Sequence, residues 1–278
     1  MATVAGDANA LGRDSVQARS HQALAWSRGR LADARPTVFA LGAGIVLWEL
    51  AGRLLQFNFL PPFSRVLGTT FSMIQKGQIL PPLAASLAAL AAGYGLAVSL
   101  GIGLGLLMGR YRKIEYIFDP YINLFLATPK IALVPILFAL FGVHRSVQVA
   151  VVFLSAFFII VVNTMSAVRT VDATYVEMAR SFGARESQLF WKVLLPGSLP
   201  LTMAGVRLGM GRAVKGMING EMFIALFGLG ALLRKYGSRF DAERVFAILL
   251  VVVAVALVCT SLVRVVERRL TYWTEPGP

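Results

Sequence analysis

The apolar positions of this chain fall into long blocks, with little of the alternation a half-buried strand or a surface helix would show. The intervals between charged residues therefore mark the elements. About 20 apolar residues cross a hydrocarbon core, and a crossing segment must satisfy its own backbone groups, so these blocks predict helices. A first block runs from Pro36 to Leu55, interrupted only by Glu49 and Arg53. Gly77 to Gly109 carries no charge and includes a lead-in at Pro81-Pro82. Pro120 to Val143 is interrupted by Pro129, Lys130 and Pro135. Ser146 to Val168 and Val245 to Val263 are charge-free. Leu199 to Leu233 carries Arg207, Arg212, Lys215 and Glu221. The pattern predicts an all-α membrane protein with about six spans, or five if the broken third block is short or re-entrant. Residues 1–35 read as a cytoplasmic tail with an interfacial helix near Leu24–Leu31. Residues 36–270 form the membrane domain and residues 271–278 a second cytoplasmic tail.

Composition supports this picture. Of the 278 residues, 57% are hydrophobic and 15% charged, and the mean hydropathy is +0.70, against about 45–50% apolar and about 25% charged in soluble domains. The single cysteine, Cys259, excludes an intrachain disulfide. The net charge of +13 points, in a membrane protein, to cytoplasmic loops facing anionic lipid rather than to nucleic acid. With six spans both termini share one side, and that side carries about twice as many lysines and arginines as the other, which places the termini in the cytoplasm.

Within the blocks, Ala97, Gly101, Gly105 and Gly109 recur every four residues. Such a stripe lets helix backbones approach closely, within one chain or between two. On a helix through Leu199–Leu233, Gly205, Gly209, Gly216 and Gly220 share one sector, and Arg212, Lys215 and Asn219 fall on the adjoining one. That small and polar side should face protein or a water-filled path, because ionisable groups at membrane depth are costly and mark functional sites. Lys130 lies where prolines can break a helix and expose backbone dipoles. Lys130, Asn163, Arg212, Lys215, Asn219 and Glu221 are therefore candidates for a solute path. Alternatively, Arg207 and Arg212 can snorkel to headgroups and Glu221 can pair within the bundle. The excess of positive charge suits an anionic solute.

The stretch VDATYVEMARSFGARESQLFWKVLLPGSLP, between the fourth and fifth blocks, is long for a connector. Thr174-x-x-Glu177 reads as a capping box opening a helix over Ala173–Phe182. Gly183 is placed to end it in the left-handed conformation. Ser187–Leu195 reads as a second short helix, broken by Pro196 and Pro200.

This stretch resembles the EAA loop of permease subunits of binding-protein-dependent ABC importers. In that pattern E-A-A is followed by three residues, G, nine residues, and I-x-L-P. Here Glu177, Met178 and Ala179 precede Gly183 and then Val193-Leu194-Leu195-Pro196 with the spacing kept, Met178 and Val193 being apolar replacements. FLPPFSRV, ATPKIALVPILFALFG and AGVRLGMGRAVKGMINGEM are similar to motifs of the nitrate, sulfonate and taurine branch, so the resemblance spans roughly residues 37–273.

It implies a type I importer permease in the bacterial inner membrane, multi-pass, paired as a homodimer above two cytoplasmic ATP-binding subunits and served by an extracytoplasmic substrate-binding protein. Glu177, Met178, Ala179, Gly183, Leu195 and Pro196 would then form the ATPase-coupling knob. The implied solutes are aliphatic sulfonates, taurine or nitrate, with an aromatic carboxylate or a pyrimidine precursor as alternatives.

No phosphate loop GxxxxGK[ST] occurs, so ATP is expected on the partner subunit and no cofactor on this chain. The only histidines are His21 and His144, so no metal cluster is expected. No nucleophile–base pair stands out, and the chain reads as a transport subunit, not an enzyme. An ATP-independent secondary transporter is the rival reading, but it leaves the spacing of residues 177–196 unexplained.

Overall fold

The computed structural model describes residues 36, 39–55, 59–142 and 144–273, and these are helical with no strand. The expected tail over residues 1–35, with its helix near Leu24–Leu31, lies outside the described residues. The chain divides into two compact units, Met1–Arg65 and Val66–Pro278.

In the first unit a helix, α1, covers residues 39–54. It folds back on the proline segment after it. Trp48 donates its indole N–H to the Pro61 carbonyl at 3.1 Å, and Gly52 lies so close to the Pro62 backbone that a Cβ would sit 2.7 Å from it. Glu49 accepts the Ser64 backbone N–H and hydroxyl, each at 2.9 Å. It thereby satisfies one of the orphan amides at the start of α2, Phe63–Gln75.

In the second unit the core is three helices: α3 (Leu80–Arg110), α6 (Arg145–Arg169) and α9 (Leu195–Ile224). α6 lies between the other two. The small-residue stripe of α3 seats on it in constant register: Gly93 meets Val152, Gly101 meets Ile160, Gly105 meets Thr164 and Gly109 meets Val168. Both numbers rise together, so α3 and α6 run parallel. The glycine sector of α9 packs on the opposite side of α6 with descending numbers: Gly205 on Asn163, Gly209 on Ile160, Gly216 on Ser155 and Gly220 on Val151. α9 is therefore antiparallel to α6. Both stripes serve packing within the chain. The shared core includes Leu90, Tyr94, Ala156, Ile160, Met210 and Met217. In lipid this association rests on close contact and a few polar bonds rather than on the hydrophobic effect. Tyr94 supplies one such bond, donating to the Val206 carbonyl at 2.8 Å.

Parallel α3 and α6 require a return crossing between them. α4 (Arg112–Ala127) begins it, and a 3-10 turn (Lys130–Leu133) leads into α5 (Val134–Phe141). The two halves bend by 97°. The cause is Pro129, which forces Thr128 into an extended conformation. α11 (Ala242–Leu270) completes the unit, joined to α9 by the Arg207–Glu267 pair at 3.2 Å. Among the described residues four helical runs are long and apolar enough to cross a membrane, and the bent pair makes five. α1 is a further helix next to residues outside the described set.

Two sequence expectations are corrected. The block from Leu199 to Leu233 is not one span: α9 ends at Ile224, Ala225 turns left-handed at φ 56°, and α10 (Gly228–Gly237) starts anew. At about 1.5 Å per residue α9 already reaches across the hydrocarbon, so residues 225–233 are surplus to the crossing. Pro196 and Pro200 likewise do not break the chain before the membrane. A continuous run extends from Glu186 to Ile224, through α8 (Glu186–Leu189) and a π turn (Phe190–Leu194) into α9. The Leu195 N–H bonds the Phe190 carbonyl, five residues back. This wider turn seats Pro196, which has no N–H to place.

Candidate functional site

Two features stand out, a knob between α6 and α9 and a cavity where the return crossing breaks. The knob begins with α7, Ala173–Ser181. Its cap is Asp172, whose carboxylate accepts the Thr174 N–H at 2.9 Å, not the expected Thr174–Glu177 box. Aspartate is the better cap, and it stands before the first turn. The bond holds the Asp172 carboxyl below the usual aspartate range. Among the described residues, the Glu177 carboxylate is left with no partner and is exposed. α7 closes as the spacing predicts, with Gly183 at φ +75°. The Gly183 N–H bonds Arg180 and the Ala184 N–H bonds Ala179, a paired closure that left-handed glycine allows.

Glu186 then ties the knob down, pairing with Arg110 at the end of α3 and with Arg180 at 3.4 Å. Leu189 and Leu194 bury the root of the turn. Apolar side chains also face outward here: Phe182 is 85% exposed and Met178 51%. Met178, Ala179, Phe182, Pro196 and Trp273 border an open groove of about 450 Å³. Of the predicted knob residues, Met178, Ala179 and Pro196 line this groove, Gly183 forms the turn, and the Leu195 N–H donates to the Phe190 carbonyl in the wide turn at the root.

The cavity, of about 390 Å³, lies between the break at Pro129, the middle of α6 and the polar sector of α9. It brings Lys130, distant in the sequence, to Arg212, Lys215 and Asn219 of the polar sector. Lys130 donates to the Leu126 carbonyl at 3.1 Å, an orphan acceptor at the end of α4 that a cation suits. Asn163 and Glu221 are not brought to this cavity. Asn163 is half-buried, packs on Gly205 and donates to its own helix at Ile159, 2.7 Å away. Glu221 is fully buried and accepts the Gly230 N–H at 2.9 Å. Arg207 is not brought to the cavity either and pairs with Glu267 at 3.2 Å.

The Asp172 cap was missed because Thr174 offered a matching box. Ser86, whose hydroxyl accepts the Leu229 N–H at 2.9 Å, Tyr94 and the Glu267 partner of Arg207 carried no local signal. Their bonds join residues distant in sequence.

A family model described as binding-protein-dependent transport system inner membrane component matches residues 97–272. A probable ABC transporter permease protein of Brucella abortus (strain 2308) is 32% identical over 76% of this chain and 84% of its own length. A taurine transport system permease protein of Escherichia coli (strain K12) is 29% identical over 82% of this chain and 85% of its own length. A formylaminopyrimidine transport permease protein of Halalkalibacterium halodurans is 31% identical over 92% and 98%. Among solved structures, inward-facing conformations of a methionine ABC transporter match with a TM-score of 0.58 and 18% identity, over 69% of this chain and 95% of that one. That likeness concerns the fold.

Proposed function

Because this chain belongs to the family of inner membrane components of binding-protein-dependent transport systems, and is thus a permease subunit of an ABC importer, we propose that its α7–α8 knob is the element through which a separate ATPase drives it. The observation that carries this reading is Glu177. Its carboxylate is exposed and unengaged, on a helix whose cap and closure are supplied by Asp172 and Gly183. A knob with exposed Met178 and Phe182 beside a carboxylate offers helix-in-groove recognition with one charge-assisted contact to choose the groove. Glu177, Met178, Ala179 and Gly183 present the surface, and Leu195 and Pro196 carry its movement into α9 without a break.

In this reading two copies pair to form the path, with termini in the cytoplasm, two ATP-binding subunits below and a substrate-binding protein outside. ATP binding by the partner subunits draws the two knobs together and shifts the path between its inward and outward states. Only contacts that differ between the two states can do this. The solute is a small anion, and a sulfonate or taurine is the first choice. The cationic cavity supports an anion, and the taurine permease relative supports that branch.

The test is a tagged pull-down from native membranes in mild detergent, with Glu177→Lys alongside, followed by an uptake assay. An ATP-binding subunit should co-purify with the wild type and fall away from the variant, and uptake should be lost while the permease still inserts. Uptake and co-purification both indifferent to Glu177→Lys would sink the assignment.

A further inference from the structure

Two cations lie together about halfway along α6, with no counter-charge among the described residues. The cavity faces Ser155, Phe158 and Ile159 of α6, a helix running from Arg145 to Arg169. Ser155 and Ile159 each stand about 15 Å from the nearer end of α6 at about 1.5 Å rise per residue. That is the middle of a hydrocarbon layer about 30 Å thick. Arg212, Lys215 and Asn219 follow one another at helical spacing on a single side of α9, next to the glycine face locked on α6. Their position is therefore set by packing and is not free to drift toward the headgroups.

Among the described residues neither Arg212 nor Lys215 has a carboxylate within ion-pair distance. By contrast the other cation of α9, Arg207, is paired with Glu267. Lys130 adds a third positive charge and donates to the Leu126 carbonyl. Unpaired charges at this depth are costly and are retained where something pairs with them.

We propose that this cavity is a binding station for an organic anion within the membrane, with an oxyanion head group held by Arg212, Lys215 and Asn219 and an apolar body on the opposite wall. The inference rests on the importer reading above and narrows its solute. The guanidinium presents a planar fork that two oxygens of a sulfonate or carboxylate can accept from. The ammonium adds a point charge and the amide N–H a third donor. Leu126, Ile131, Phe158 and Ile159 supply the apolar wall, which an inorganic ion such as nitrate leaves unused. A neutral solute would leave both cations unpaired. The volume of about 390 Å³ falls among small-molecule sites, which span about 300–1,000 Å³.

The experiment measures binding of radiolabelled butanesulfonate to the full-length permease with its co-purified partner, in nanodiscs of neutral lipid. Unlabelled butanesulfonate, nitrate and the uncharged butanesulfonamide serve as competitors. Saturable binding is expected, with nitrate and the sulfonamide each weaker by about tenfold or more, the value of one charge-assisted or apolar contact set. Arg212→Gln and Lys215→Gln should each weaken binding by about tenfold. Arg212→Lys, which keeps the charge but not the planar fork, should recover only part of it, and Arg207→Gln should bind as the wild type does.

Absence of saturable binding to the wild type, equal binding by the Arg212→Gln and Lys215→Gln variants, or competition by the sulfonamide on a par with the sulfonate would each overturn the proposal. Co-purification of the ATPase is scored separately. Binding lost in Arg212→Gln with the ATPase retained supports the station. Binding kept with no ATPase recovered supports the station while removing the importer reading.

Discussion

The Glu221 carboxylate of α9 accepts the Gly230 backbone N–H at 2.9 Å, while the neighbouring Leu229 N–H donates to the Ser86 hydroxyl of α3 at 2.9 Å. The residue before α10, Phe227, offers no side-chain cap. The first turn of α10 therefore takes its acceptors from two other helices, and the hairpin between α9 and α10 is locked where α9 ends.

That lock accounts for two glycines and yields a first prediction. A Cβ on Gly228 would meet the Glu221 carboxylate, and Gly228 also sits at φ +83°. Gly228→Ala should destabilise the protein by about 2 kcal/mol or more, from backbone strain plus overpacking. Glu221→Ala leaves the Gly230 N–H unpaired and should cost about 1–3 kcal/mol, whereas Glu221→Gln keeps an acceptor oxygen and should cost less. Thermal melting of the detergent-solubilised permease ranks the three. A Gly228→Ala protein that melts with the wild type would contradict the lock.

The second prediction concerns the α3 stripe. A Cβ at Gly105 would lie 2.6 Å from the Thr164 Cβ and 2.7 Å from the Val161 carbonyl, both on α6, whereas Gly103 has open space around it. Gly105→Ala should destabilise by about 1–3 kcal/mol. Gly103→Ala should be neutral or stabilising by up to about 1 kcal/mol, because alanine is the better helix former. The same melting assay reads both, and equal effects at the two positions would refute the assigned packing face.

The third prediction follows from Asp172. Its pKa is lowered in the folded state, first by the bond from the Thr174 backbone N–H. A depressed carboxyl stabilises the fold above its unfolded pKa, about 3.9 for aspartate, and loses that contribution as the pH falls through the lower folded value. Hydrogen exchange in the first turn of α7, corrected for the intrinsic rate, should accelerate below about pH 4. Asp172→Asn keeps the cap without the charge and should flatten that pH dependence, and Asp172→Ala should expose the turn at every pH. An unchanged profile in the Asn variant would show that the carboxylate is not the cap.

Much of this was legible along the chain because the physics concerned is local or periodic. A four-residue glycine spacing is a packing face on any helix, and Gly183 after an amphipathic turn is a left-handed stop. The position of Lys130 beside Pro129 announced a broken crossing, and the sector of Arg212, Lys215 and Asn219 followed from 100° per residue. Local rules failed where two of them competed. Thr174–Glu177 and Asp172 both offered caps, and the stronger acceptor two residues earlier won. Pro196 looked like a break, but a helix can absorb a proline by widening one turn, and no residue pattern distinguished the two outcomes.

The sequence by itself determined that the chain is helical, membrane-spanning and equipped with a glycine-hinged knob, because hydropathy, charge-free length and cap chemistry act over a few residues. It also determined which sides of α3 and α9 are small. Tertiary structure alone decided that both of those sides meet α6, one parallel and one antiparallel. It also decided that Glu221, on the side of α9 away from Arg212, holds α10, and that Lys130 comes to stand over the same cavity as Arg212 and Lys215. These last facts depend on the register between helices far apart in the chain. Register is set by the fit of whole surfaces, such as Gly101 against Ile160 and Gly216 against Ser155, and no single segment contains that information.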